Sequence, residues 1–459
     1  MLFYQRLLAL SITSILLVAC QAPQIPSSVA PAPSAPINTQ DSQVHQYTLN
    51  NGLKVIIKED HRAPIVMTQI WYNVGSSDEV AGKGGLAHFL EHMMFKDTPL
   101  LSGDQYHKLI SHFGGNKNAF TSHDYTAYYE SLPANQYPIA LQIEANRMQN
   151  LLLQSDEIAT EKKVIQEERR QRTDDNPIAK AYEEFRLLAL KNSPKARPVI
   201  GAMDEIAELS QSDLTNWYRT WYSPNNATLV IVGDVTAKDV MPWVHKYFDT
   251  LKQAELPTRQ NLQVPTHNGY QLTVSPQAVT VPSLMMGFNV PSITTNPKDA
   301  YALALFADIA DGSQSARFEK NLVRDRQLFD SIGASFNLLQ KGDGLFTIMA
   351  TPKAGVSLES AEQAILDELT AISTQPISDS ELERGQIGLS ASLIFANDSI
   401  AEQANTLGML TTLGLPHDTL EKLPATLRAV SKDSIQQTAR NYITKDNLTT
   451  IYVVPDSKQ

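Results

Sequence analysis

The residues best suited to chemistry lie in one short run, Gly84-Gly85-Leu86-Ala87-His88-Phe89-Leu90-Glu91-His92-Met93-Met94-Phe95. Read as a helix opened by the glycine pair, the run turns about 100° per residue, so His88 and His92 fall one turn apart on one face, with Glu91 beside them. Two neutral imidazoles at i and i+4 are ready ligands for a divalent cation, and a carboxylate between them can take a proton from water held there. Leu86, Phe89, Leu90, Met93 and Phe95 are apolar, so the helix is expected to be mostly buried, and its polar side chains need a purpose. The order His-x-x-Glu-His is the reverse of the common zinc-peptidase helix. Taken alone it also fits three satisfied core polar residues, and a third ligand decides between the two.

Something must bring that ligand. A second helix is expected over residues 155–175, with Asp156 and Glu157 in its first turn, Arg169, Arg170 and Arg172 near its end, and Pro177 as its stop. Glu161 and Glu168 are two turns apart on nearly one face, while Glu167 points well away. Ile158, Val164 and Ile165 are expected to pack inward. Glutamates on a charged helix are ordinarily a solvated face, so the pattern does not by itself assign a ligand.

The inverted motif, followed about 76 residues later by Glu-x6-Glu on a helix, resembles the pitrilysin/insulinase family of zinc peptidases, which includes the mitochondrial processing peptidase. The resemblance runs over nearly all of the chain after the first 45 residues. It includes Gly114-Gly115-Asn116-Lys117-Asn118-Ala119-Phe120-Thr121-Ser122 and Tyr222-Ser223-Pro224-Asn225-Asn226-Ala227-Thr228 with the apolar run to Gly233-Asp234. By position it implies His88, His92 and Glu168 as ligands of one Zn²⁺ per chain, Glu91 as general base and Glu161 as a carboxylate that orients a ligand. It also implies that the strand holding Asn118, Ala119, Phe120 and Thr121 is an edge that pairs with the substrate backbone, a mode that grips main chain and tolerates varied side chains.

The chain has 459 residues and a formal charge of −11, which argues against nucleic acid as a partner. Residues 1–19 read as an export signal: a short apolar segment with Arg6 near its start and Leu17-Val18-Ala19 at its end. Leu17-Val18-Ala19-Cys20 resembles the bacterial lipobox, so Cys20, the sole cysteine, is expected to carry a lipid, and no intrachain disulfide can form. Residues 21–44, rich in Pro, Ala and Ser, are expected to form an extended tether. By the same lipoprotein analogy, Gln21 points to the outer membrane of a two-membraned bacterium, facing the periplasm.

Beyond the tether, two strands joined by Asn50-Asn51-Gly52, a strand over 65–74, one strand around 118–130, helices to about 209, a strand over 227–232 and a helix over 237–251 are expected. Residues 253–269 are polar and Pro-containing without period, and mark a boundary. The chain then echoes itself at about 216–220 residues: 66–74 is answered by 282–290, and a helix running into a strand closes each half. At this offset His88, Glu91 and His92 fall opposite Ala304, Ala307 and Asp308. The expected fold class is therefore α+β, two duplicated domains, each a mostly antiparallel β-sheet flanked by α-helices, with residues 45–255 bearing the zinc and 256–459 lacking the metal motif.

The expected activity is zinc-dependent hydrolysis of peptides or unfolded polypeptides in the periplasm. The competing class is a non-catalytic assembly subunit, but such relatives lose motif residues and His88, Glu91, His92, Glu161 and Glu168 are all present. Active relatives also hold substrate with an Arg and a Tyr seven residues apart in the silent domain. Arg324 matches the first, but Ser331 stands at the second, so a paralogous subunit in a heterodimer, or else a homodimer, is the expected partner, with the membrane reached through the lipid anchor.

Overall fold

The Asn-Asn-Gly turn opens the folded chain, with Gly52 at φ 85°, the left-handed region that glycine enters without cost. It joins β1 (Val44–Thr48) to β2 (Lys54–Glu59) as an antiparallel hairpin. The computed structural model describes residues 44–456 apart from 192, 260, 265–268 and 397, and these form one compact unit. The export signal, Cys20 and, but for Val44, the tether lie outside the described residues.

β3 (Ile65–Tyr72), β4 (Asn116–Thr121), β5 (Thr126–Pro133) and β6 (Ala227–Gly233) complete a six-stranded sheet in the order β1-β2-β6-β3-β5-β4, antiparallel except where β2 meets β6. β7 (Gln271–Gln277), β8 (Ser283–Val290), β9 (Phe329–Phe336), β10 (Gly344–Pro352) and β11 (Leu448–Pro455) form a second sheet in the order β7-β11-β8-β10-β9. It is antiparallel except for β7 with β11. Set β1 aside and the two sheets coincide strand for strand, so the weak sequence echo is a duplication of topology. The fold is α+β, with helices flanking each sheet. Among the described residues, no helix is long and apolar enough to cross a membrane.

Three local expectations need correction. The single strand expected around 118–130 is the β4–β5 hairpin, turned at Ser122-His123-Asp124, where the Ser122 hydroxyl accepts the N–H groups of Asp124 and Tyr125 at 3.0 and 3.1 Å. Short polar side chains that bond their own backbone compete with the extended ladder. The helix expected to reach 175 is α-helical over Ser155–Arg169 and widens into a π-helical turn, Arg170–Asp174. Pro177 does not end it but begins the next helix, Pro177–Ala189, whose cap is Asn176 accepting the Ala179 N–H at 3.1 Å. Finally, Val164 is exposed, whereas Ile158 and Ile165 are buried. Residues 158, 161, 165 and 168 lie on one face, so the buried face of this helix is also the face that carries Glu161 and Glu168.

The two halves exchange cover. The first-half helix Pro177–Ala189 packs on β11 and β8 of the second sheet, with Phe185 fully buried. A Cβ on Gly287 would sit 2.5 Å from the Phe185 ring, so glycine is what permits the approach. Reciprocally, the second-half helix Ile400–Thr412 packs on β6 and β3, where a Cβ on Gly408 would come within 2.1 Å of Trp71. Gln69 accepts the Trp71 indole N–H at 2.8 Å and donates to Asn405 of that helix at 2.8 Å. Neither sheet is covered by its own half alone.

Candidate metal centre

The helix bearing the histidines, Leu86–Met93, starts where Gly85 adopts φ 85°. A Cβ there would lie 2.4 Å from the Ile200 carbonyl oxygen, so the glycine serves both conformation and close packing. Glu79, fully buried in the preceding loop, accepts the free N–H groups of Gly85 at 3.1 Å and Ala87 at 2.8 Å. The oxygens of an acidic side chain at a helix N-terminus satisfy the orphan donors of the first turn. Burial pushes Glu79 up to about 8, and these two hydrogen bonds pull the other way. The helix is thereby fixed at its first turn, and His88, one residue past Ala87, is 9% exposed.

The His88 and His92 ring centroids are 4.7 Å apart. Glu168 Oε2 approaches His92 Nε2 to 3.4 Å and His88 Nε2 to 3.9 Å, and one ligand atom from each of the three lies within 4.8 Å of the others. Ligands about 2.0–2.2 Å from a tetrahedral zinc ion lie roughly 3.3–3.6 Å apart, which the His92–Glu168 approach meets and the wider His88 approach nears, and two imidazoles with one carboxylate are a known donor set for zinc. Burial, followed by the charge of His92, lowers His88 to about 4, which keeps it neutral and able to ligate. The residues present fit a divalent cation.

His92 is poised by Glu161, whose Oε1 accepts from Nδ1 at 2.8 Å while its Oε2 pairs with Lys96 Nζ at 2.5 Å. A proton held at Nδ1 leaves the Nε2 lone pair facing Glu168, the usual way a carboxylate selects the ligating tautomer. Burial works to lower His92, but hydrogen bonds to Glu161 and Glu168 prevail and raise it to about 9. The same carboxylates that favour a proton on this ring favour a cation against it. The His92 hydrogen bond, ahead of Lys96, holds Glu161 down to about 2, so it stays ionised. Glu168 Oε1 is taken by Arg172 Nη1 at 2.7 Å, which turns the other oxygen toward the imidazoles.

Glu91 lies beside the trio, mostly buried, and burial raises its pKa. Its Oε2 accepts the Thr121 hydroxyl at 2.5 Å, and that hydrogen bond opposes the rise. Thr121 ends β4, the outermost strand of its sheet, along which Asn118 is exposed and Ala119 and Phe120 are half-buried. Phe120 packs against Trp71 with ring centroids 5.3 Å apart, which steadies the strand against the sheet.

His88, His92, Glu91, Glu161 and Glu168, singled out in the sequence, thus meet at one place, with the edge strand of Asn118 and Thr121 alongside. Arg324 does not join them. It sits on the helical turn Phe318–Asp325 of the second half, more than half exposed, with an ion pair to Glu319 at 3.9 Å. Ser331 is exposed on β9, the edge of the second sheet. Sequence reasoning missed Glu79, Lys96, Arg172 and the link from Thr121 to Glu91. Arg172 follows Glu168 at i+4, a helix-pair signal readable from the chain. Lys96 lies past the end of its helix and pairs with Glu161 of another, and neither it nor Glu79 carried such a signal.

The fold and this donor set define a duplicated α+β protein with an inverted zinc-peptidase helix in its first half. The description "Insulinase (Peptidase family M16)" matches residues 54–202, and "Peptidase M16 inactive domain" matches residues 208–389. The chain is 30% identical over 361 residues to the zinc protease PqqE of Helicobacter pylori, covering 78% of this chain and 81% of that one. It is 25% identical over 409 residues to the beta subunit of the mitochondrial-processing peptidase of Lentinula edodes, 86% of each chain. Among solved structures, a protease from Helicobacter pylori superposes with a TM-score of 0.83 at 27% identity, over 90% of this chain and all of that one. The first half of the periplasmic protease PqqL of Escherichia coli has the same fold, with a TM-score of 0.76 at 20% identity over 91% and 93% of the two chains. The chain belongs to the M16 peptidase family, the insulinase or pitrilysin type.

Proposed function

We propose that this protein is a zinc-dependent endopeptidase that cleaves peptides or unfolded polypeptides, with residues 45–255 as the catalytic domain and 256–459 as a domain without the metal motif. The observation that carries the reading is the convergence of His88, His92 and Glu168 with Glu91 at their side and a free sheet edge next to it. His88, His92 and Glu168 would hold the ion. Zinc, when bound, supplies Lewis acidity, which acidifies water and polarises a peptide carbonyl. Glu91 is placed to take the proton from the attacking water and to return it to the leaving amine. Thr121 holds the Glu91 carboxylate on one side, and Glu161 holds His92 in the tautomer that ligates. The backbone of β4 around Asn118–Phe120 would pair with an extended substrate and set its carbonyl over the site.

The test is metal analysis of the purified protein together with cleavage of unstructured peptides, before and after a chelator. Near-stoichiometric zinc and cleavage abolished by the chelator and restored by zinc are expected; cleavage indifferent to the chelator would reject the reading. In that assay we expect activity to rise when a paralogous subunit carrying the Arg and Tyr pair is added, because Arg324 and Ser331 do not reconstitute it here. Full activity of the isolated chain, unchanged by any paralogue, would favour the homodimer.

For location, the reading is a periplasm-facing lipoprotein of the outer membrane, resting on the sole cysteine directly after a signal-like segment. Cells fed a labelled fatty acid should label the wild-type chain and not Cys20→Ala, whose metal content is unaffected. An unlabelled wild-type chain would rule the anchor out.

A further inference from the structure

We propose that Arg172 is a specificity-determining residue that selects substrates presenting a carboxylate close to the scissile bond, an inference that rests on the peptidase reading above. The residue lies in the π-helical turn Arg170–Asp174 that directly follows the helix of Glu168. Three arginines crowd this segment, and two are committed elsewhere. Arg169 is buried, bonded to both oxygens of Glu183 at 2.7 and 3.0 Å, to Asp174 at 3.0 Å and to the Gly201 carbonyl at 3.0 Å. Arg170 pairs with Glu167 on the outer side. Arg172 alone turns toward the metal centre, with Nη1 2.7 Å from Glu168 Oε1, and its side chain is still 72% exposed.

That exposure is unusual for a group so placed. One guanidinium edge holds the ligand carboxylate, and the remaining donors have no second ionic partner among the described residues. The charge is separated from the meeting point of His88, His92 and Glu168 by the width of one carboxylate, well inside a Debye length of about 8 Å. It acts on His88, Glu91 and Glu168 together. A divalent ion would be balanced by Glu91 and Glu168, and Lys96 offsets Glu161, so Arg172 leaves a net positive rim on the solvent side of the site. A fixed guanidinium fork suits a carboxylate, whether an Asp or Glu side chain or a chain's terminal carboxylate, and it disfavours a lysine or arginine at the same position.

The experiment uses the full chain as Glu91→Gln, loaded with zinc, as a binding trap, and reads fluorescence anisotropy of labelled peptides. One series carries Glu, Gln or Lys at successive positions in a neutral peptide; a second compares free and amidated C-termini. The Glu peptides should bind about three- to tenfold more tightly than the Gln peptides at low salt, the range of a partly exposed charge-assisted pair. Adding Arg172→Gln should bring that ratio to about one, Arg172→Lys should leave an intermediate ratio, and Arg172→Glu should favour the Lys peptides. A preference that follows the free C-terminus instead identifies the chain end as the source of the carboxylate. Equal binding of acidic and neutral peptides, no peptide binding at all, or a preference that survives Arg172→Gln overturns the proposal. Hydrolysis of the neutral peptide by the protein with Glu91 intact tests the peptidase reading separately, so the two can fail independently.

Discussion

Replacing Glu91 by glutamine should lower kcat for peptide hydrolysis by about 10²–10⁴-fold while leaving zinc in place and KM little changed. The three side chains that converge as ligands, His88, His92 and Glu168, are untouched by the substitution. The amide has nearly the size of the carboxylate and can still accept the Thr121 hydroxyl that now reaches Glu91 Oε2. It cannot take up a proton, so the attacking water keeps its own and the leaving amine receives none. Each tenfold loss is about 1.4 kcal/mol of barrier, and a general base contributes on this scale without contributing to substrate affinity. Turnover within tenfold of wild type, with metal content equal, would show that some other group carries the proton.

The second large effect concerns the cation itself. Glu168→Gln should strip zinc from the protein and with it all measurable cleavage, because a neutral amide replaces the only anionic ligand of the trio. The substitution also leaves Arg172 without its partner, adding an uncompensated positive charge beside the ion. Glu161→Gln is the informative control. It removes the acceptor that fixes His92 but no ligand, so metal affinity should fall by about 10–100-fold, a loss that excess zinc restores. Metal content after dialysis against graded chelator, read beside activity, orders the three proteins. If Glu168→Gln held zinc as firmly as wild type, the third ligand would have to be sought elsewhere.

Several features of this protein are properties of a single element and could be read from the chain. Helical periodicity alone places His88, Glu91 and His92 together, and likewise Glu161 and Glu168, because the angle between neighbouring side chains is set by covalent geometry. The Asn-Asn-Gly turn between β1 and β2 follows from the left-handed backbone that Gly52 adopts. The duplication is legible for a related reason, since each half repeats the alternation of buried strands that its sheet requires. Where the chain leaves a regular element, this kind of inference weakens: the β4–β5 turn at Ser122 and the π-helical turn after Arg169 depend on hydrogen bonds that period does not report.

What the tertiary structure alone decided are the contacts between elements far apart in the chain. Periodicity put Glu168 on a face but could not say that this face meets the histidine helix; Ile158 and Ile165, buried beside it, bring that about. Nor could it say that Thr121, 30 residues from Glu91, would end its strand against the base, or that Glu79 would fold back to cap the helix. The exchange of helices, with Phe185 over Gly287 and Gly408 under Trp71, was equally invisible. Such pairings arise when apolar faces are buried together and close packing admits only certain shapes, a condition on the whole chain that no local stretch contains.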